Sequence, residues 1–357
     1  MTERETGPIG TGPLKTEPLN VVVVGAGAFG KNHLRVYREL ERAGLVSLCG
    51  VVDGDGATLA AACALYGIPG FATVGECLAE LREIDAASVC VPTVHHAAVA
   101  EQLLVAGVDV LIEKPIAASE AEADRIVALA EELGRVVQVG HLERFNPAVM
   151  AARQFLNRPM FFESHRLSVF TPRSLDVDVV LDLMIHDLDI VLSLVGSAVR
   201  EVRAVGLAVL SQKVDIANVR VEFENGCVAN FTASRVSTER VRKLRFFQPH
   251  QYLSLDFARQ DLLMIDVAAA AGLDAAQMAA LAAAAMQAGG HPSAGLSLRK
   301  VEVEQGEPLR LEISSFLTAV RTRETPVVSA KDGRDALRLA LEITRAIAEH
   351  AERAGIR

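Results

Sequence analysis

Between residues 19 and 140, short apolar runs alternate with longer stretches in which apolar positions recur every three or four residues. The runs at 20–24, 45–52, 86–91, 108–112 and 136–139 are short and rich in Val, Ile and Leu, so they predict strands. The periodic stretches at 31–43, 57–66, 95–106 and 119–133 predict helices. Each is followed by a glycine (Gly44, Gly67, Gly107, Gly134) suited to a helix end. Strand and helix in regular alternation predict right-handed βαβ units and a doubly wound parallel sheet.

The rhythm changes after Pro147. A helix at 148–156, an alternating stretch at 160–170 and a helix at 179–195 come first. Strands then dominate, at 199–210, 217–223 and 228–236, with Glu224-Asn225-Gly226 as a hairpin turn between the last two. Further strands are expected at 244–247, 252–257, 261–265 and 298–303. This pattern predicts an α+β domain with a large, mostly antiparallel open sheet and helices on one face. Residues 268–287 are Ala-rich, interrupted by Gly272, Asp274 and Gln277. Ala favours helix but buries little area, so a helical surface insertion is expected. Terminal helices at 312–323 and 331–351 follow, at least one expected to pack back on the first domain. The organisation read from this is a flexible tail at 1–18, a first domain at 19–145 and a second at 146–357.

A chain of 357 residues has room for two such domains. Lys plus Arg number 36 against 45 Asp plus Glu, a net charge of −9, and there is no Trp. That balance excludes a general nucleic-acid binder, which needs a basic face. The mean hydropathy of +0.27 comes from Ala and Val dispersed among charges, and no run approaches the length of a membrane span. The first twenty residues carry no apolar core and do not read as a signal peptide. Five scattered cysteines (Cys49, Cys63, Cys77, Cys90 and Cys227), never in a CxxC pair, point to a reduced cytoplasmic protein with mostly buried thiols and not to a cysteine metal site.

Chemistry first appears at Gly25-Ala26-Gly27-Ala28-Phe29-Gly30, which follows an apolar strand and opens a helix. The first Gly allows a tight turn, the second close approach of a pyrophosphate, and the third helix-on-strand packing. The helix N-terminus offers free N–H groups. Asp53, 23 positions beyond Gly30 at the end of the next strand, would accept both adenosine-ribose hydroxyls and repel a 2′-phosphate, which favours NAD over NADP. Glu113-Lys114-Pro115 follows the strand at 108–112, at an end where ligands bind in such sheets, and Pro115 could hold its peptide bond cis. Taken alone it reads sooner as a solvated Glu-Lys pair. Val91-Pro92-Thr93 with His95 and His96 ends the preceding strand on the same edge. Asp182, His186 and Asp189 fall on one helix face at i, i+4 and i+7. A carboxylate one turn from an imidazole can orient a general base, although the same spacing serves a metal pair or a surface pair. No further set of metal ligands accompanies it.

The glycine loop, Val91-Pro92-Thr93 with His96, Glu113-Lys114-Pro115 and Asp182-x-x-x-His186 together resemble the Gfo/Idh/MocA oxidoreductase family, in order and spacing and over nearly the whole chain. The resemblance implies an NAD-binding Rossmann domain at 19–145 and a substrate-binding and oligomerisation domain at 146–357. It implies that Lys114 hydrogen-bonds the reacting hydroxyl, Asp182 positions it and His186 takes its proton. Gly25, Gly27, Ala28, Phe29, Gly30, Asp53, Pro92, Thr93, His96, Glu113 and Lys114 are the implied cofactor contacts. Arg144, Asn146, Arg166 and Arg173 gather near the expected crevice, and arginine suits phosphate. They are the candidate substrate contacts beside the catalytic three, though interdomain salt bridges would use arginine equally. Residues 170–189 resemble the subgroup acting on UDP-N-acetylglucosamine, which oxidises the sugar 3-hydroxyl for a partner aminotransferase in lipid A precursor pathways. A homodimer or homotetramer through the second-domain sheet is expected on the same grounds. The alternatives are another sugar or cyclitol dehydrogenase, such as one for myo-inositol, and a non-catalytic NAD sensor.

Overall fold

The computed structural model describes residues 17–170, 177–266, 273–287 and 297–355, so the expected tail lies outside them except for its last two residues. The chain divides into two compact units, Met1–Phe145 with Glu307–Arg338, and Asn146–Gly306 with Leu339–Arg357.

In the first unit the elements are β1 (Leu19–Val24), α1 (Gly30–Arg42), β2 (Val46–Val52), α2 (Gly56–Tyr66), β3 (Gly70–Phe71), α3 (Val74–Glu80), β4 (Ala86–Val89), α4 (His96–Val105), β5 (Asp109–Glu113), α5 (Glu120–Glu132) and β6 (Val137–Gly140). Six parallel strands run in the order β3-β2-β1-β4-β5-β6. The order reverses between β1 and β4, which opens a crevice at their carboxyl ends. Every residue of β4, β5 and β6 is buried, as continuous apolar runs in a doubly covered sheet require. β3 and α3 escape the sequence pattern. Two residues carry no period, and Pro69-Gly70 reads as loop. The start of α3 is marked by Thr73, whose hydroxyl accepts the Glu76 N–H at 3.2 Å.

The second unit holds α6 (Pro147–Ala152), β7 (Phe161–Leu167), a π turn at Val180–Met184 that runs into α7 (Ile185–Val195), β8 (Val199–Leu207), β9 (Ile216–Phe223), β10 (Val228–Ser234), β11 (Val241–Gln248), β12 (Gln251–Asp256), β13 (Asp261–Asp266), α8 (Ala275–Gln287) and β14 (Ser297–Val301). Its eight strands lie in the order β14-β13-β12-β11-β7-β10-β9-β8. β7 and β10 pair in parallel at the centre, and the other described pairs are antiparallel. Alternate residues such as Phe162, Val221, Ala229, Phe231, Leu244 and Leu253 are buried, so one face of the sheet carries the core. The hairpin between β9 and β10 turns on Gly226 at φ +82°, with Asn225 Oδ1 accepting the Cys227 N–H at 3.0 Å. In the Ala-rich stretch, Asp274 and Gln277 exchange hydrogen bonds of 2.8 and 2.9 Å between side chain and backbone. Two residues that look like interruptions of a helix therefore start it, as a capping box.

Two helices follow, α9 (Pro308–Thr322) and α10 (Ala330–Ala354). α9 buries Leu309, Ile313, Phe316, Leu317 and Val320 in the same cluster as Leu34, Tyr37 and Leu40 of α1. Each large side chain buried there contributes about 1.5–3 kcal/mol. No helix among the described residues is long and apolar enough to cross a membrane.

Candidate active site

The glycine loop leaves the end of β1 with Gly25 at φ +95°, and a Cβ there would lie 2.7 Å from the Cys90 backbone. A Cβ on Gly30 would fall 1.7 Å from the Gly25 oxygen, whereas one on Gly27 would meet nothing within 4 Å. The first and third glycines are therefore demanded by the chain itself, and the second faces open space. Asp53 at the end of β2 accepts the Ala26 N–H at 2.7 Å and the Asp55 N–H at 2.8 Å. A groove of about 520 Å³ opens at these strand ends, lined among others by Gly25, Gly27, Asp53, Thr73, Pro92 and His95. A dinucleotide fits this arrangement. Its pyrophosphate has room over Gly27 at the N-terminus of α1, and its adenosine ribose has the Asp53 carboxylate. Ala28 and Phe29 are exposed at the loop tip, and Thr93 opens a 3-10 turn leading to α4.

His96, expected in the pocket, is buried behind the groove, and its neighbour His95 takes the place on the wall. The His96 ring lies between two carbonyl oxygens, Nδ1 2.8 Å from that of Pro115 and Nε2 2.9 Å from that of Val91. Burial lowers its pKa against the pull of those carbonyls, and an uncharged ring donates to one of the two only. The Lys114–Pro115 bond is cis. Glu113, the last residue of β5, is buried and accepts a hydrogen bond from His33 Nε2 at 2.8 Å. His33, Tyr37 and Ser88 form a buried polar cluster behind it that pattern reading misses, because their contacts span 51 to 80 residues of sequence.

In the second unit Asp182 sits in the π turn and His186 in the first turn of α7, both half-buried, while Asp189 is buried. Asp178 fixes the entry to this segment by accepting the N–H groups of Val180 at 2.9 Å and Leu181 at 3.0 Å. Such π turns concentrate at functional sites. Next to His186, Asp187 points into the core and takes both Nη2 (2.7 Å) and Nε (3.0 Å) of Arg166, with the Ser164 hydroxyl at 2.8 Å. Arg166 is 3% exposed and also lies over the Phe257 ring at 5.3 Å. Its observed bonds are internal. The same holds for Asn146, which caps α6 through Ala148 N–H (3.1 Å) and donates to the Phe257 carbonyl (3.0 Å). In the first unit Arg144 is buried in a 3-10 turn with Asp332 at 3.9 Å. Arg173 lies outside the described residues.

Comparison with known proteins gives these features a context. Residues 19–141 match the model of an oxidoreductase family with an NAD-binding Rossmann fold, and residues 130–248 match the GFO/IDH/MocA C-terminal domain. UDP-N-acetylglucosamine 3-dehydrogenase of Acidithiobacillus ferrooxidans is 35% identical over 93% of this chain and 98% of its own. The chain belongs to the Gfo/Idh/MocA oxidoreductase family. A solved structure of the Acidithiobacillus enzyme superposes with a TM-score of 0.80 at 34% identity, over 92% of this chain and 97% of that one. The inositol 2-dehydrogenase of Leifsonia xyli, 30% identical, covers only 52% of this chain and 56% of its own. Levoglucosan dehydrogenase solved with NADH shares the fold at 18% identity and a TM-score of 0.79, over 93% of this chain and 98% of that one. As a Gfo/Idh/MocA member the protein is an NAD-dependent oxidoreductase acting on a CH–OH group.

Proposed function

We propose that this enzyme oxidises the 3-hydroxyl of UDP-N-acetylglucosamine to the 3-keto sugar, for amination by a partner aminotransferase in lipid A precursor synthesis. The observation that carries this reading is the 35% identity to a UDP-N-acetylglucosamine 3-dehydrogenase over 93% of one chain and 98% of the other.

Oxidation of the alcohol removes a hydride from C3 and a proton from O3. NAD, when bound, accepts the hydride. Lys114 donates a hydrogen bond to O3 and stabilises the negative charge that builds there as the proton leaves. Asp182 orients the hydroxyl and the imidazole one turn away, and His186 takes the proton. Asp187 and Arg166 lock the helix that carries His186. The Arg166 guanidinium is already held by Asp187, so the nucleotide phosphates are not assigned to it. We also propose a homodimer or homotetramer through the outer sheet face. Phe161, Phe247 and Tyr252 cluster there with ring centroids 5.6 and 4.9 Å apart, and light scattering tests the assembly.

The decisive panel presents NAD with UDP-N-acetylglucosamine, UDP-glucose, N-acetylglucosamine and myo-inositol, with an aminotransferase to remove keto product. NADH and a new UDP-sugar mass are expected with the first only, and Lys114→Ala should still bind NAD while turnover falls by about 100-fold or more. Absence of both signals overturns the assignment. Turnover of myo-inositol would make this a cyclitol dehydrogenase, and NAD binding without any turnover a sensor.

A further inference from the structure

His33, Tyr37 and Ser88 are fully buried polar residues that the reaction does not use directly. His33 and Tyr37 lie one turn apart on α1, and Ser88 lies on β4. The Tyr37 hydroxyl is 2.9 Å from Ser88 Oγ, which is 3.0 Å from His33 Nδ1, and His33 Nε2 is 2.8 Å from Glu113 Oε1. Burial pushes the Tyr37 phenol pKa up, so it keeps its proton. With that proton on Ser88 Oγ, the serine hydroxyl donates to His33 Nδ1. At the other end a carboxylate can only accept, so His33 Nε2 carries the N–H that meets Glu113. His33, Cys90 and Glu113 approach within 4.8 Å of one another as metal ligands would, but both His33 nitrogens are taken up by this chain.

Asp53 marks the adenosine side of the crevice at β2, and Glu113 ends β5 on the opposite side of the β1/β4 switch point, toward the nicotinamide half of a bound dinucleotide. We propose that Tyr37, Ser88 and His33 form a hydrogen-bonded chain that holds the Glu113 carboxylate in a single orientation for the nicotinamide-ribose half of NAD, with His33 as the positioning residue. This rests on Glu113 as a cofactor contact and not on the identity of the sugar.

Calorimetric titration of the full chain with NAD and with ADP, which lacks the nicotinamide ribose, tests it. In His33→Leu and Glu113→Gln, the Kd for NAD should rise about tenfold and that for ADP stay within about twofold. The double variant should bind NAD about as weakly as the weaker single, because both changes break one unit. His33→Gln, which keeps an N–H donor, should recover most of the affinity. If His33→Leu does not fold, Tyr37→Phe and Ser88→Ala each remove one hydroxyl and should weaken NAD about threefold without affecting ADP. Parallel loss of NAD and ADP would reduce the chain to a support for α1, and multiplied losses in the double variant would mean that His33 acts apart from Glu113. Either result, or unchanged NAD binding in Glu113→Gln, overturns the proposal. Failure to oxidise the UDP-sugar leaves these binding results standing and would count against the substrate assignment alone.

Discussion

The Asp53 carboxylate accepts the Ala26 N–H at 2.7 Å, which ties the end of β2 to the glycine loop. Its second oxygen is steadied by the Asp55 N–H at 2.8 Å. An anion fixed here can still accept two ribose hydroxyls, and it repels a 2′-phosphate. Asp53→Ser should lower kcat/KM for NAD by about 10- to 100-fold and lower the NAD-to-NADP preference by more than about tenfold. Steady-state kinetics with both cofactors checks this. An unchanged preference would mean that Asp53 serves the loop alone.

Gly27 and Gly30 separate ligand space from chain packing. Gly27→Ala should leave the thermal midpoint near wild type, since a Cβ meets no protein atom within 4 Å, yet weaken NAD severely by filling the pyrophosphate's place. Gly30→Ala should lose both, because its Cβ would strike the Gly25 carbonyl. Melting curves with and without NAD distinguish the two behaviours.

Arg166 and Asp187 form a buried bidentate pair with side chains 4% and 2% exposed. Removing one partner strands the other charge, so Arg166→Met should cost roughly 3–5 kcal/mol of stability, and adding Asp187→Leu should restore much of it. Denaturant unfolding reads both. A loss of UDP affinity at unchanged stability would instead make Arg166 a phosphate ligand.

Asp215 is buried between β8 and β9. Burial pushes its pKa up, but the Ser211 hydroxyl and the N–H groups of Val209, Leu210 and Ser211 outweigh this and hold it at about 2. A folded pKa below the unfolded value of about 3.9 means stability that is present above about pH 4 and is lost as pH falls toward 2. Urea midpoints across that range should fall more steeply for wild type than for Asp215→Asn. Equal slopes would remove Asp215 from the acid response.

What could be read without coordinates is local. Gly25, Gly27, Gly30 and Asp53 announce a dinucleotide site because each serves a turn or strand end whose geometry follows from its neighbours. The parallel sheet and the mostly antiparallel second sheet follow from runs of four to twelve residues. Contacts between distant residues leave no such trace. Ser88 looks like any polar residue in an apolar strand, and nothing within a helical period links it to His33 or Glu113. Arg166 reads equally as a phosphate contact or a salt-bridge partner until Asp187, 21 positions on, is found beneath it. His95 and His96 differ only in which way one helix turn points them.

The proposed reaction takes hydride from C3 of a UDP-linked sugar. The most direct test is a single-turnover reaction with UDP-N-acetylglucosamine deuterated at C3, followed by mass spectrometry of cofactor and sugar. Reduced cofactor carrying the deuterium, transferred as deuteride, formed together with a 3-keto UDP-sugar that has lost it, is the predicted result. Unlabelled NADH, or no reduction here beside rapid reduction with myo-inositol, would contradict it.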